Sequence, residues 1–462
     1  MADRGVISAT GTALEEASIE KLQDSLRGEM LRPGDNGYDE ARMVWNRMVD
    51  KHPSMIIRCV GVADVIHAVN FARTHDLLVA VRGGGHNVAG KAVCDEGMVI
   101  DLSKMKGIRV DPTQHTAQAQ AGLLNAECDR EAQAFGLATT MGVVSDTGIA
   151  GLTLGGGYGW LAGKYGMTCD NLLSADVVTA DGRFLTASVS ENEDLFWGLR
   201  GGGGNFGVVT SFEYRLHPVD QVLGGMILYP MEKAKDVLRF YHEFSISAPD
   251  ELSTMAFLAT APSGDPAVII VLCYCGSSDE GEKVVKPVRT LGTPLADLIQ
   301  VMSYGDLQKM LDPLLPTGHC YYWKASIIRE LSDKAIETLL AHALPLPTPM
   351  SGVGFQQLHG VASRVGQDET AYPHRYDHYE FFPIVVSEDR GEVEKNIHWA
   401  RELWEAMQPF TTGAVYVNDL GDEGEARVKE AYGSIYPRLV EVKNKYDPTN
   451  LFRLNQNVKP KM

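Results

Sequence analysis

The sequence is short of positive charge. It carries 42 Lys and Arg against 60 Asp and Glu, a formal net charge of −18 over 462 residues. The basic residues are scattered rather than blocked, which argues against a nucleic-acid or anionic-membrane surface. There is no run of about eighteen apolar residues to suggest a membrane span. The opening stretch Met1-Ala2-Asp3-Arg4-Gly5-Val6-Ile7-Ser8 lacks the apolar core of a secretory leader. Cysteine is sparse. The seven residues Cys59, Cys94, Cys128, Cys169, Cys273, Cys275 and Cys320 are an odd set with no C-x-x-C pair, so neither a disulfide framework nor a thiolate zinc site is expected. Internal repeats and low-complexity linkers are also missing. These absences make a cytoplasmic enzyme the default expectation. The length allows roughly two to four domains, and a 44% hydrophobic content is enough for large cores.

Glycine is what the chain has in concentration, and it gathers in three places. The first is Val81-Arg82-Gly83-Gly84-Gly85-His86-Asn87, between the apolar runs Leu77-Leu78-Val79-Ala80-Val81 and Met98-Val99-Ile100-Asp101-Leu102. Successive N–H groups in such a turn make a concave anion site suited to a pyrophosphate. A histidine at its lip is a nucleophile within reach of whatever the phosphates anchor. The plainer reading is a tight turn with an incidental histidine. A strand at residues 55–60 and an amphipathic helix at residues 62–75 precede it, making a β-α-β unit. It is not a Rossmann fingerprint, because Val88 takes the third glycine position. The second gathering spans residues 142–159, where helix and strand periodicity are weak and a backbone-lined ligand wall is expected. A P-loop fails there, since Lys164 is followed by Tyr165 and Tyr158 stands at the first required glycine. The third spans residues 194–210 and leads into a strand at 208–216. Residues 13–31 have helical rhythm, residues 107–121 read as a half-buried strand or hairpin, and residues 125–135 as a helix closed by Gly136.

From residue 220 to about 414 the glycine density falls. Strands are expected at 222–228, 267–275, 321–328 and 376–385, with helices at 334–343 and 390–407. This is an α+β block without phosphate loops, suited to a lid or substrate domain. Tyr321 and Trp323 fall on one strand face, and Tyr376, His378 and Glu380 on another. His374 and His378 are four apart, but their aromatic neighbours favour a strand, so no metal site is expected. Val415-Tyr416-Val417-Asn418 alternates, which puts Tyr416 and Asn418 on one face of a strand.

Together, the three glycine stretches, Tyr416-Val417-Asn418 and the tail at residues 446–460 resemble the vanillyl-alcohol oxidase and p-cresol methylhydroxylase flavoprotein superfamily. Within it the chain is most similar to the berberine-bridge-enzyme branch and to bacterial FAD-linked oxidases of the 6-hydroxy-D-nicotine oxidase type. The resemblance implies an α+β, two-domain FAD-binding fold of the p-cresol methylhydroxylase type. Residues 1–218 would form the FAD domain, residues 219–414 an inserted substrate domain with a large antiparallel sheet flanked by helices, and residues 415–462 a return to the FAD domain. It implies FAD carried covalently by His86. Many relatives add a second bond from a cysteine, but Val144 stands at the matching position here, so a single attachment is expected. Backbone from Arg82 through Gly83, Gly84, Gly85, His86 and Asn87 to Val88 would hold the pyrophosphate. Asp146, Thr147, Gly151, Leu152, Thr153, Leu154 and Gly155 would line the rest of the cofactor. Val209 would meet the adenine, and Asn418 and Asn455 would approach the ring system.

The expected chemistry is hydride removal from a small alcohol, amine or sugar, with O2 as acceptor and H2O2 as product. A dehydrogenase of the same fold, or a flavoprotein that binds a ligand without turnover, are the alternatives. Tyr416 and Asn418 are the catalytic candidates. Tyr416 is read either as base, which needs a lowered pKa or concerted transfer, or as an aromatic wall. Tyr321, Trp323, Tyr376 and His378 are the candidates for the substrate pocket. Neither a nucleic acid nor a membrane is expected as partner, and the sequence does not speak to oligomeric state.

Overall fold

A computed structural model describes residues 13–461. The opening stretch Met1 to Ser8, in which no secretory leader is expected, therefore lies outside the described residues. Three sheets carry the architecture. The first has four strands in the order Glu29–Leu31, Met55–Arg58, Met98–Asp101, Val79–Arg82, with the last three parallel. Met55, Ile56 and Ile57 are wholly buried, as a run apolar on both faces must be when helices cover it. The helix Val62–Thr74 supplies that cover through Val65, Ala68, Val69 and Ala72, spaced one face of a helix apart. The second sheet is antiparallel, ordered Ile108–Asp111, Thr116–Gln120, Val208–Arg215, Leu172–Val178, Phe184–Ser188.

The third sheet has nine strands, all antiparallel, drawn from residues 221–387. An interior strand, Pro266–Tyr274, shows how it is used. Val268, Ile270, Leu272 and Tyr274 pack under the helices Ala234–Ile246, Ser278–Arg289, Asp333–Ala343 and Arg390–Met407, whereas Ala267, Ile269, Val271 and Cys273 face the other way. The strand period of two thus assigns one face to a helical layer and the other to the interior. Residues 415–458 join the same core as residues 19–214, beside the helix Tyr436–Tyr446. There the buried Lys443 ammonium donates to Asp447 Oδ2 (2.6 Å) and to the carbonyls of Asn205 and Phe452, which ties down the tail. Among the described residues no helix is long and apolar enough to cross a membrane.

Several local expectations need correction. Residues 13–31 are not one helix. The helix Glu16–Ser25 ends because the N–H groups of Arg27 and Gly28 turn to the Asp64 carboxylate (2.8 and 3.1 Å), and the strand Glu29–Leu31 follows. The glycine stretch 142–159 contains a helix, Ile149–Gly155. Residues 321–328 form two strands, Cys320–Trp323 and Ser326–Ile328, both paired to His378–Ser387. Tyr376 precedes that last strand rather than belonging to it. Residues 415–418 form no strand; they pass through a turn.

Candidate active site

A cavity of about 500 Å³ lies between the glycine loops and the inner face of the nine-stranded sheet. Gly83, Gly84, Gly85, His86 and Asn87 line one wall. A Cβ on Gly84 would come within 2.5 Å of Gly148 N and Cα, so the first and second glycine loops touch backbone to backbone. Among the described residues none of the N–H groups from Gly83 to Asn87 finds a protein acceptor. Unsatisfied N–H groups facing a cavity form an anion cradle. Val209 and Asn455 line the same cavity. Asn455 donates to Gly204 O (3.1 Å) and Phe452 O (2.9 Å), while its buried Oδ1 has no partner. A donor-lined cradle with an orphaned acceptor further along fits a diphosphate carrying a heterocycle, and so fits FAD.

His86 stands at the cradle's lip. Its Nε2 is 3.2 Å from Asp146 Oδ1, and Asp146 also accepts from the Thr317 hydroxyl. Burial pushes the Asp146 carboxyl up, but the bonds from His86 and Thr317 outweigh it and hold it below the usual carboxylate range. The indole of Trp45 stacks on the imidazole (centroids 4.1 Å apart) and, on its other face, on Tyr321 (3.8 Å). His86 is therefore held both in plane and in tautomer.

The cavity's polar end is built by Tyr416, Asn418, Tyr158, Glu380 and Asp419. Tyr416 Oη accepts from Gly157 N and from Asn418 Nδ2, both at 2.8 Å, which leaves its own hydrogen to donate. Asn418 reaches back to the carbonyls of Gly151 and Leu152 and so fixes the turn to the helix Ile149–Gly155. Tyr158 packs against the Tyr416 ring at 4.8 Å and donates to Glu380 Oε2. Glu380 is fully buried; Asp419 opens partly onto the cavity. Burial pushes both carboxyls up, and Asp419 beside Glu380 pushes Glu380 further. Burial also raises Tyr158 and Tyr416 well above the ordinary phenol. A phenolate at Tyr416 is thus disfavoured, which leaves the two carboxyls as the candidate proton acceptors in this cluster.

Of the residues singled out in the sequence, Gly83, Gly84, Gly85, His86, Asn87, Thr147, Gly151, Leu152, Leu154, Val209, Trp323, Tyr416, Asn418 and Asn455 line this one cavity. Others stand outside its lining. Arg82 turns its guanidinium to Ala41 O, and Thr153 bonds to Ile149 O and Tyr214 Oη. Val88 and Gly155 are not at the surface of the cavity, and Asp146 reaches it only through His86. Tyr321 lies behind Trp45. Tyr376 and His378 do not line it: His378 Nδ1 bonds to Tyr376 O (2.6 Å), and burial pushes this imidazole down to about 3. His374 faces the carbonyls of Val415 and Ala431. The sequence reading missed Trp45, Tyr158 and Asp419, and gave Glu380 no role. Only Glu380 left a signal, as an acid inside the aromatic strand His378–Ser387.

Comparisons with known proteins bear on this geometry. The FAD binding domain family matches residues 53–188, and the berberine and berberine-like family matches residues 415–459. An FAD-linked oxidoreductase of Dictyostelium discoideum is 32% identical over 450 residues, covering 96% of this chain and 97% of its own. The (R)-6-hydroxynicotine oxidase of Paenarthrobacter nicotinovorans is 30% identical over 448 residues, covering 94% and 97%. Among solved structures, 6-hydroxy-D-nicotine oxidase from Arthrobacter nicotinovorans superposes with a TM-score of 0.85 at 30% identity, covering 95% of this chain and 99% of that one. A chitooligosaccharide oxidase shares the fold, with a TM-score of 0.82 at 22% identity over 96% and 100% of the two chains. The α+β architecture is that of the p-cresol methylhydroxylase type of FAD-binding oxidases.

Proposed function

This chain belongs to the FAD-linked oxidoreductases of the berberine and berberine-like family, and on that premise we propose that it is an oxidase of a small alcohol, amine or sugar. FAD is held covalently by His86 alone, and O2 is the final acceptor, released as H2O2. The observation that carries the reading is the placement of the Tyr158, Glu380 and Asp419 cluster beside Tyr416 and Asn418, at the end of a donor-lined cradle. The flavin supplies two-electron oxidation of a C–H bond. The chain supplies the rest. The Gly83–Asn87 amides bind the diphosphate. Asp146 and Trp45 orient the His86 ring for its single bond, and Val144 offers no thiol for a second. Tyr416 donates its hydrogen to the substrate oxygen or nitrogen and so orients it. The substrate's O–H or N–H proton passes to the Glu380–Asp419 pair, directly at Asp419 or through Tyr158, whose oxygen bridges cavity and Glu380.

The test is anaerobic flavin reduction followed by admission of O2. The proposal expects bleaching by a substrate, return of the absorbance with O2, and one H2O2 per cycle. Reoxidation only by quinones or other artificial acceptors identifies a dehydrogenase instead.

A further inference from the structure

The nine-stranded sheet turns one face to the cavity, and its register orders the side chains there. One row runs Met226, Val271, Met255, Gln356, Glu380, each the cross-strand neighbour of the next. The row two residues along runs Ile269, Phe257, Gly354, Phe382. The glycine in that row is required. A Cβ there would overlap the Phe382 ring and lie 3.0 Å from Phe257 Cε1, so the two phenyl groups close over it, ring centres 6.2 Å apart.

Met226, Met255, Phe257, Ile269, Val271 and Phe382 all line the cavity. They form a continuous wall that can neither donate nor accept a hydrogen bond of ordinary strength. Polar groups enter only at the end of the first row, as Gln356, beyond which Glu380 lies buried behind Tyr158. The other hydroxyls on this side, Ser351 and Thr260, stand near the sheet's rim, and Ser351 is committed to Thr348 and the Val386 N–H. The wall therefore grades from hydrocarbon to a single proton-accepting corner.

Resting on the oxidoreductase reading above, we propose that the substrate is a largely hydrocarbon alcohol or amine with its oxidisable carbon at one end, and not a saccharide. The body of such a molecule gains from burial against methionine, isoleucine, valine and phenylalanine. Its one O–H or N–H reaches the corner at Asp419 and Tyr158, in front of Glu380. There the carbon loses a hydride to the flavin, the heteroatom loses its proton to the carboxyl pair, and a C=O or C=N bond remains. A sugar pressed on the same wall would lose water from several hydroxyls without finding partners.

The experiment uses the flavin-loaded protein and compares two sets under anaerobic conditions. One set holds aryl and alicyclic carbinols and amines with one polar group. The other holds glucose, cellobiose and xylobiose. The expected result is bleaching by members of the first set at least roughly a hundredfold faster than by any sugar. Val271→Thr keeps the shape of the wall and adds one hydroxyl; it should raise KM for the best substrate roughly tenfold with kcat little changed. Bleaching by sugars alone, or an unchanged KM in a folded, flavin-loaded Val271→Thr protein, overturns the inference and leaves the oxidoreductase reading standing. Protein purified without flavin overturns that reading, and the inference with it.

Discussion

Tyr158 donates its phenolic hydrogen to Glu380 at the edge of the cavity, and Asp419 faces the same carboxyl. Neither carboxyl ionises cheaply beside the other once water is removed. Glu380→Gln leaves the space filled but removes the acceptor. Flavin reduction should slow by about 10² to 10⁴. In the native protein both carboxyls hold protons at low pH and cannot accept another. The rate should therefore rise with pH through the pair's titration and then level. Stopped-flow reduction across pH 5 to 9 checks both effects, and an unchanged profile in Glu380→Gln would move the base elsewhere.

Tyr416→Phe should behave differently. The phenol is held neutral by burial and accepts two hydrogen bonds. Removing it leaves Gly157 N–H and one Asn418 hydrogen unpaired, at about 1–3 kcal/mol. Reduction should slow less than in Glu380→Gln, and the pH-dependent limb should persist. Loss of that limb would make Tyr416 the base after all.

Asp146→Asn weakens the hold on His86. Asn accepts a hydrogen bond but carries no charge to favour one imidazole tautomer. FAD should still bind through the backbone cradle, while covalent incorporation into apoprotein should slow roughly tenfold, as loss of an orienting partner does at metal-bound histidines. Acid precipitation at timed intervals after FAD addition measures it. Attachment at the native rate would show that Trp45 stacking alone positions the ring.

Asp129 predicts a pH effect on stability. It is buried on the helix Asn125–Gln133 with Oδ2 unpartnered, and burial pushes its carboxyl up to about 8 against the pull of Lys309. Its unfolded value is about 3.9. Between these values the native protein holds a proton that the unfolded chain releases, so stability falls as pH rises through that window, by up to about 1.4 kcal/mol per unit. Asp129→Asn removes this loss. Its stability relative to the native chain should improve steadily from pH 5 to 8 and then hold constant in urea unfolding. A difference independent of pH would mean that Asp129 is ionised in the fold.

The cradle was legible in the sequence because glycine at close backbone contacts is chemically irreplaceable, and Gly84 against Gly148 is such a contact. The helix Arg390–Met407 was legible because its periodicity is long. The corner proposed to accept the proton was not. Four alternating residues at 415–418 suit a strand or a turn equally, and the choice is made by Gly157 N–H, far away in sequence. Tyr376, His378 and Glu380 read as one face, yet only Glu380 reaches the site, through Tyr158; His378 turns to the Tyr376 carbonyl. Trp45 lies in a segment without periodicity, and its stacking on His86 is a purely tertiary event.

Mass spectrometry of peptides from acid-precipitated protein tests the central claim most directly. The account predicts one FAD bound through the peptide containing His86, none on the peptide containing Val144, and in His86→Ala an FAD that still binds but is released by acid. Complete release of FAD from the native protein by acid, or its attachment at any other residue, would contradict it.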